Sequence, residues 1–169
     1  MEEYDVEKVR KECVGKVVQT TRGKYPVEYE PIRRYCRMVK CTNPLFLDED
    51  YAKKTKYKRV ICPPTAIPMF AMPGRYEPVK VPVIPALEAI TKRGEGVINM
   101  SQELIFLKPV FVGDTLSSTT KIVDIVKRPI KMDPEAIWVT WEENITNQKG
   151  ETVCTLRNTI MNYRIPKGA

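Results

Sequence analysis

The second half of the sequence alternates between apolar and polar residues and is rich in β-branched side chains. The alternation starts at Gly94 and is interrupted at Gly113-Asp114, at Asp133-Pro134 and at residues 147–150 (NQKG). Period-two alternation indicates strands with one buried face, and these interruptions have the composition of turns. The sequence therefore predicts at least three long antiparallel strands, two of which form a hairpin through NQKG.

The first half of the sequence favours helices and loops. Apolar residues have helical spacing within Glu2–Val14 and again within Ile32–Cys41, where Glu30-Pro31 suits a helix start. The step Thr42-Asn43-Pro44 is expected to end this second helix. Acidic residues followed by lysines across Asp48–Thr55 predict a further short helix, because that order complements the helix dipole.

A buried helix is expected to begin at Pro64 or Thr65, inside the apolar run VICPPTAIPMFAMPG. The proline-rich residues Pro73–Pro85 after it predict an irregular excursion. Helices followed by antiparallel strands indicate an α+β fold whose sheet wraps around a central helix. The 169 residues suit one domain, which we place at residues 1–169.

The composition is that of a soluble globular protein, with 43% hydrophobic and 29% charged residues. The apolar stretches Val60–Met72 and Val81–Leu87 are broken by prolines and are too short to cross a bilayer. The opening residues MEEYDVEKVRKE are charged throughout, unlike a signal peptide. We expect a cytoplasmic protein that does not bind membranes.

The chain contains no histidine, which removes the most common general acid or base near neutral pH. Nucleophile systems built on histidine and metal sites that need imidazole are excluded as well. The five cysteines form no CxxC pair, so we expect free thiols in a reducing compartment, mostly as small core residues, and no metal. Any chemistry must come from carboxylates, thiols, hydroxyls or a partner chain.

The net charge of +7 is concentrated in the first 60 residues. The densest basic cluster comprises Lys53, Lys54, Lys56, Lys58 and Arg59. The simplest interpretation is a solvated face, and the functional alternative is a mouth that attracts an anionic, phosphate-bearing ligand. Nucleic acid is not expected, because the cluster lacks interleaved aromatic residues and a recognisable binding motif.

Four phrases in fixed order resemble a known family. They are YEPIRRYCRMVKCTNPLFLDEDYA, VICPPT, LIFLKPVFVGDTL and NQKGETVCTLRNTIMNYR, and they span about residues 25–164. They resemble the MaoC-like hot-dog-fold dehydratases, and within these the N-terminal, FAS1-like type found beside (R)-specific enoyl-CoA hydratase domains. The resemblance implies a single hot-dog domain that handles acyl thioesters of fatty acid metabolism.

The resemblance also implies where catalytic residues would lie. Active members carry G-D-x-N-P-[LI]-H, whose aspartate and histidine act together in the hydration of an enoyl thioester. Here Asn43-Pro44-Leu45 keeps the frame, but Cys41 occupies the aspartate position and Phe46 the histidine position. The family's carbonyl-polarising His-Gly step becomes Cys62-Pro63-Pro64-Thr65, and proline has no N–H to donate. We therefore expect no catalytic residue in this chain.

Three functions remain open. The first is a non-catalytic, pocket-forming subunit of a heteromeric (R)-specific enoyl-CoA hydratase or 3-hydroxyacyl-thioester dehydratase, whose MaoC-type partner supplies the aspartate and histidine. The second is a stand-alone hot-dog thioesterase or dehydratase that uses carboxylates and hydroxyls. The third is a module that binds an acyl thioester without chemistry. The ligand in each case is a CoA or carrier-protein thioester, with no separate cofactor.

Candidate site residues follow from the first function. The run Pro64–Met72 is the expected central helix, with the acyl-pocket candidates Ile67, Met69, Phe70 and Met72. The basic cluster of residues 53–59 is the candidate for phosphate contacts, with Arg33, Arg34 and Arg37 as alternatives.

Catalysis by Cys41 would need an activating neighbour, and only Lys40 is adjacent. Residues 48–50 (DED) are expected to form a helix N-terminus, the alternative being a thioesterase base. Pairing through a sheet edge, with a MaoC-type subunit or with a second copy, is also expected.

Overall fold

The fold is built on one five-stranded antiparallel sheet with the strand order β1-β3-β4-β5-β2. The computed structural model describes residues 5–72 and 96–165. The strands are β1 (Val17–Arg22), β2 (Gly96–Phe106), β3 (Ser117–Lys127), β4 (Ile137–Thr146) and β5 (Thr152–Tyr163). The prediction of at least three long antiparallel strands is therefore confirmed.

Five helices precede the long strands or lie between β1 and β2. They are α1 (Val6–Cys13), α2 (Tyr29–Met38), α3 (Pro44–Leu47), α4 (Glu49–Lys54) and α5 (Ile67–Phe70), which directly follows a 3₁₀ turn at Pro64–Ala66. Side-chain caps start three of them: Asp5 accepts from Lys8 N–H, Asn43 from Leu45 N–H and Asp48 from Tyr51 N–H. The predicted helices at Glu2–Val14 and Asp48–Thr55 are thus present with shorter bounds.

The hairpin between β4 and β5 forms where NQKG predicts it. The Asn147 carboxamide oxygen accepts hydrogen bonds from the main-chain N–H groups of Lys149 and Glu151. Gly150 has a φ of 76°, a conformation that glycine adopts without strain. Cα pairing between the two strands then runs from Thr146 opposite Thr152 to Ile137 opposite Asn162.

Two apolar clusters cover the sheet. One joins α2, the Cys62–Ala71 segment and the ends of β4 and β5, and includes Ile32, Ile67 and Cys154. The other packs α1 against β3 and β4, and includes Val9 and Ile125. The end of β1 lies very close to α5: Gly23 N–H donates to Leu116 O, and a Cβ at Gly23 would lie 2.0 Å from Phe70 O. The α+β arrangement is confirmed.

Two helix predictions need correction. The second helix ends at Met38 and not at the Thr42-Asn43-Pro44 step, because Lys40 adopts a φ of 55° and turns the chain. Asn43 and Pro44 then start α3, where asparagine is a good cap and proline tolerates the first turn. The expected central helix Pro64–Met72 is the 3₁₀ turn plus α5, and it ends at Phe70. The predicted excursion Pro73–Pro85 lies outside the described residues.

Candidate functional site

The loop after α2 carries Cys41 and Phe46, the two residues that the family resemblance aligns with a catalytic aspartate and histidine. Cys41 N–H donates to Cys36 O at 2.8 Å and Lys40 N–H to Arg37 O at 3.3 Å, which ends α2 in a Schellman motif. Cys41 is half-buried and packs with Phe46 against the core cluster around α2. These two positions therefore supply a thiol and a phenyl ring in place of a carboxylate and an imidazole.

The segment Cys62–Thr65 follows a β-bridge between Ile61 and Phe111. Cys62 is buried, its N–H donates to Val110 O at 2.8 Å, and burial raises the pKa of its thiol to about 12. A thiol with this pKa stays protonated near neutral pH and is a poor nucleophile. The Thr65 hydroxyl accepts a 2.8 Å hydrogen bond from the Tyr35 hydroxyl, so the segment is tied to α2.

A cavity of about 500 Å³ lies between α2 and α5. Its surface is mostly apolar, and the described residues that line it are Glu28, Glu30, Pro31, Arg34, Tyr35, Met38 and Met69. Glu30 accepts hydrogen bonds from Arg33 and Arg34, and these bonds lower the pKa of its carboxyl to about 2. The volume falls within the range of small-molecule sites.

The four predicted acyl-pocket residues are distributed unequally around this cavity. Met69 lines it and is 43% exposed, whereas Ile67 and Phe70 are only 2% and 8% exposed within the core cluster. Met72 is 65% exposed and does not line the cavity. The structure instead adds Tyr35 and Met38, which the sequence pattern did not single out because they share α2 with buried residues.

The predicted basic cluster divides into two groups. Lys53, Lys58 and Arg59 line a second cavity of about 200 Å³ with Tyr29, Glu49, Val60 and Val112. Lys54 and Lys56 do not line it, and the Lys56 ammonium lies 5.1 Å from the Tyr57 ring centroid. The second cavity is the part of the cluster in which cationic groups converge.

Some cationic side chains of the basic cluster already interact with neighbouring residues. Asp50 lies 3.1 Å from the Lys53 ammonium and raises its pKa through that hydrogen bond, while the Arg59 guanidinium stacks 3.9 Å from the Phe111 ring centroid. Of the alternative arginines, Arg33 and Arg34 are paired with Glu30. Lys58 therefore stands out as the lysine best placed for a new anionic contact.

The acidic residues 48–50 form a helix N-terminus, as expected. Asp48 caps α4 through Tyr51 N–H at 2.9 Å, and Asp50 pairs with Lys53. Within residues 5–72 and 96–165, no three histidine, cysteine or acidic side chains are grouped as metal ligands. In the same residues, no helix combines the length and apolarity of a membrane span.

In residues 5–72 and 96–165, no strand pairs with β2 on the side away from β5, its open edge. β2 has eleven residues, of which only Glu103 is charged, and it pairs with β5 on one side. Its exposed large apolar residues are Val97, Ile98, Met100, Ile105 and Phe106. Edges that stay unpaired in solution are usually short, charged or interrupted by proline. The opposite edge strand, β1, has six residues.

The sequence matches the family described as FAS1-like, dehydratase domain region, over residues 12–156. The chain belongs to the FAS1-like dehydratase family. The family resemblance of the four phrases is thereby confirmed, and the sheet and helices are those of the α+β hot-dog fold.

One curated protein and one solved structure are similar to nearly the whole chain. A probable enoyl-CoA hydratase alpha subunit from Thermomonospora curvata is 27% identical over 170 residues, which is 96% of this chain and 53% of that protein. The chain thus spans about half the length of that relative. The ChsH1–ChsH2 complex from Mycobacterium tuberculosis contains a chain with a TM-score of 0.78 and 18% identity, with 97% of this chain and 96% of that chain covered.

A third similar protein is the HadBC (3R-hydroxyacyl-ACP dehydratase) complex from Mycobacterium tuberculosis. Its matching chain has a TM-score of 0.61 and 25% identity, and the match covers 88% of this chain and all of that chain. The known proteins similar to this FAS1-like chain therefore include an enoyl-CoA hydratase alpha subunit and chains from two complexes, ChsH1–ChsH2 and the dehydratase HadBC.

Proposed function

We propose that this chain is the non-catalytic, pocket-forming subunit of a heteromeric (R)-specific enoyl-CoA hydratase or 3-hydroxyacyl-thioester dehydratase. One observation carries the proposal: the loop after α2 keeps the Asn43-Pro44-Leu45 frame, with Cys41 and Phe46 at the positions of the acid–base pair. A chain that keeps this loop but lacks the proton-transfer groups can shape the binding site without catalysing hydration or dehydration.

Reversible hydration needs a group that moves the α-proton and a group that activates water, both within reach of adjacent carbon atoms. Phe46 can do neither, and Cys62 stays protonated because burial raises its pKa to about 12. Pro64 offers no N–H to a thioester carbonyl at the start of the 3₁₀ turn. The aspartate, the histidine and the main oxyanion contact are therefore assigned to a MaoC-type partner.

The open edge of β2 supports a partner at that side of the sheet. β2 has eleven residues with a single charge and no other described strand on its outer side, so a second β2-like strand that docked there would extend the sheet. The similarity to the ChsH1–ChsH2 and HadBC complexes supports a different polypeptide as that second strand.

The two cavities support an acyl-thioester ligand. The cavity between α2 and α5 offers Met38, Met69 and Tyr35 to an acyl chain. The second cavity offers Lys58 and Arg59 to the phosphates of CoA or of a carrier-protein arm. Burial of the acyl chain and contacts to the phosphates would together let this chain bind the thioester without catalysing a reaction.

The deciding experiment is enoyl-CoA hydration by the purified chain alone and after co-expression with a MaoC-type chain that retains aspartate and histidine. We expect activity only in the mixture, and its loss when the histidine of the added chain is replaced. Turnover by this chain alone would overturn the proposal in favour of a stand-alone hot-dog enzyme. Thioester binding without any gain in the mixture would favour a binding module.

A further inference from the structure

The Schellman motif at the end of α2 brings two thiols together. In this motif the residue three positions before the helix end and the residue after the left-handed turn commonly touch through their side chains. Here those residues are Cys36 and Cys41, separated by the turn at Lys40 with its φ of 55°. The contact that other helices make with apolar side chains is made here by two cysteines.

The main-chain geometry fits a covalent link. Cys41 N–H donates to Cys36 O at 2.8 Å, and standard bond lengths then keep the two Cα atoms within about 7 Å of each other. That distance is close to the upper limit for an unstrained disulfide. Cys36 belongs to the core cluster around α2 and Cys41 packs against the same cluster, so the two side chains lie on one side of the turn.

The two thiols differ in access. Cys36 is 1% exposed, and burial, with a smaller contribution from Cys41, raises the pKa of its thiol. Cys41 is half-buried and reaches solvent. An oxidant in solution therefore reacts first with Cys41. Cys36 is then the neighbouring thiol that can attack the Cys41 sulfur and displace the group bound to it.

We propose that Cys36 and Cys41 are a modification site at which oxidised glutathione installs an intramolecular disulfide. The Cys41 thiolate attacks one sulfur of the glutathione disulfide, forms a mixed disulfide and releases one glutathione thiolate. Cys36 then loses its proton and attacks the Cys41 sulfur, which releases the second glutathione. Two protein thiols are oxidised and one glutathione disulfide is reduced to two glutathione thiols.

The bond would join the last turn of α2 to the loop that carries Asn43-Pro44-Leu45. It would fix the loop at the place where active relatives hold their acid–base pair, and reduction would release it. The proposal rests on the ending of α2 and stands whether or not the chain has a catalytic partner.

The test uses the full chain, incubated with oxidised glutathione, quenched with acid and digested with trypsin without reduction. Cleavage after Arg34, Arg37, Lys40 and Lys53 would leave the peptide 35–37 joined to the peptide 41–53, with a mass 2 Da below the sum of the two. Thiol titration in denaturant should fall from five groups to three. Unlinked peptides after prolonged oxidation, or glutathione retained on Cys41, would overturn the proposal.

Two variants separate this pair from the third thiol nearby. Cys41→Ser should abolish the link and keep its four thiols, because the accessible partner is gone. Cys62→Ala removes the buried thiol whose pKa is influenced by Cys36 and should still form the link. A Cys36–Cys62 bond in the unmodified chain would contradict the assignment, and this readout does not depend on whether either variant folds.

Discussion

The Tyr35 hydroxyl donates a 2.8 Å hydrogen bond to the Thr65 hydroxyl, which joins α2 to the start of the 3₁₀ turn across 30 positions of sequence. Tyr35 also lines the cavity between α2 and α5. Tyr35→Phe should lower the free energy of unfolding by about 0.5–1 kcal/mol, because one partly exposed hydrogen bond is lost. Urea unfolding measures this, with Tyr51→Phe, an exposed tyrosine of α4, as the control. Equal effects of the two variants would show that the bond contributes nothing.

The ion pair of Asp133 with Arg164 predicts a loss of stability in acid. Burial alone would raise the pKa of Asp133, but hydrogen bonds from Arg164 and from Glu135 N–H outweigh burial and hold the pKa at about 2. Because the folded pKa lies below the unfolded value, this carboxylate stabilises the fold above about pH 4 and ceases to do so as the pH falls towards 2. The contribution is about 2 kcal/mol.

Denaturant unfolding of the wild type and of Asp133→Asn at several pH values checks this contribution. The difference in unfolding free energy between the two proteins should be largest near pH 6 and should shrink below pH 4. Asp50→Asn, a change at an exposed residue of α4, should show little difference at any pH. A difference between wild type and Asp133→Asn that is independent of pH would exclude the carboxylate as its source.

Filling the cavity between α2 and α5 should weaken thioester binding. Met69→Trp places a larger side chain in the cavity, whereas Met72→Trp changes a residue outside it that is more exposed. We expect at least a tenfold rise in the dissociation constant of a medium-chain acyl-CoA for Met69→Trp and a change below twofold for Met72→Trp. Isothermal titration calorimetry distinguishes them, and equal behaviour would mean that the acyl chain lies elsewhere.

Lys58 should contribute to thioester affinity in a salt-dependent way. Lys58→Gln removes a cation from the second cavity, and Lys56→Gln removes one that does not line it. Lys58→Gln should weaken acyl-CoA binding several-fold at low salt and less at 0.5 M salt, where surface electrostatics are screened. The same affinity loss for both variants would indicate a general charge effect and no local phosphate site.

A charge on the open edge of β2 should prevent association. Ile98 is an exposed residue of β2 and Val17 an exposed residue of β1, the opposite edge. Ile98→Lys should shift the chain from dimer, or from complex with its partner, towards monomer in size-exclusion chromatography, while Val17→Lys should not. If only Val17→Lys dissociates the assembly, the partner docks on β1.

Much of the fold could be predicted because its signals are local. Alternation across residues 94–164 and the turn at NQKG are visible within short windows, so four of the five strands follow from them. The end of α2 could not be predicted in the same way. Lys40 adopts a left-handed conformation that sequence seldom indicates for lysine, and it moves the helix end away from the proline that seemed to set it.

The site was less predictable because it depends on which face each residue presents in the folded chain. Ile67 and Met69 are two positions apart in one short apolar helix, yet one is buried in the core and the other lines a cavity. The lysine cluster divides for the same reason: a run of like charges does not indicate which of its members line a cavity.

The close approach of Gly23 to Phe70 restricts how the cavity between α2 and α5 can change size. The carbonyl oxygen of Phe70 occupies the space that any side chain at position 23 would need. The Phe70 end of α5 already contacts the main chain at Gly23, so a shift of α5 in that direction would need both segments to move. The main chain thus limits the α5 side of this cavity, and we expect changes in its size to come from side chains of α2.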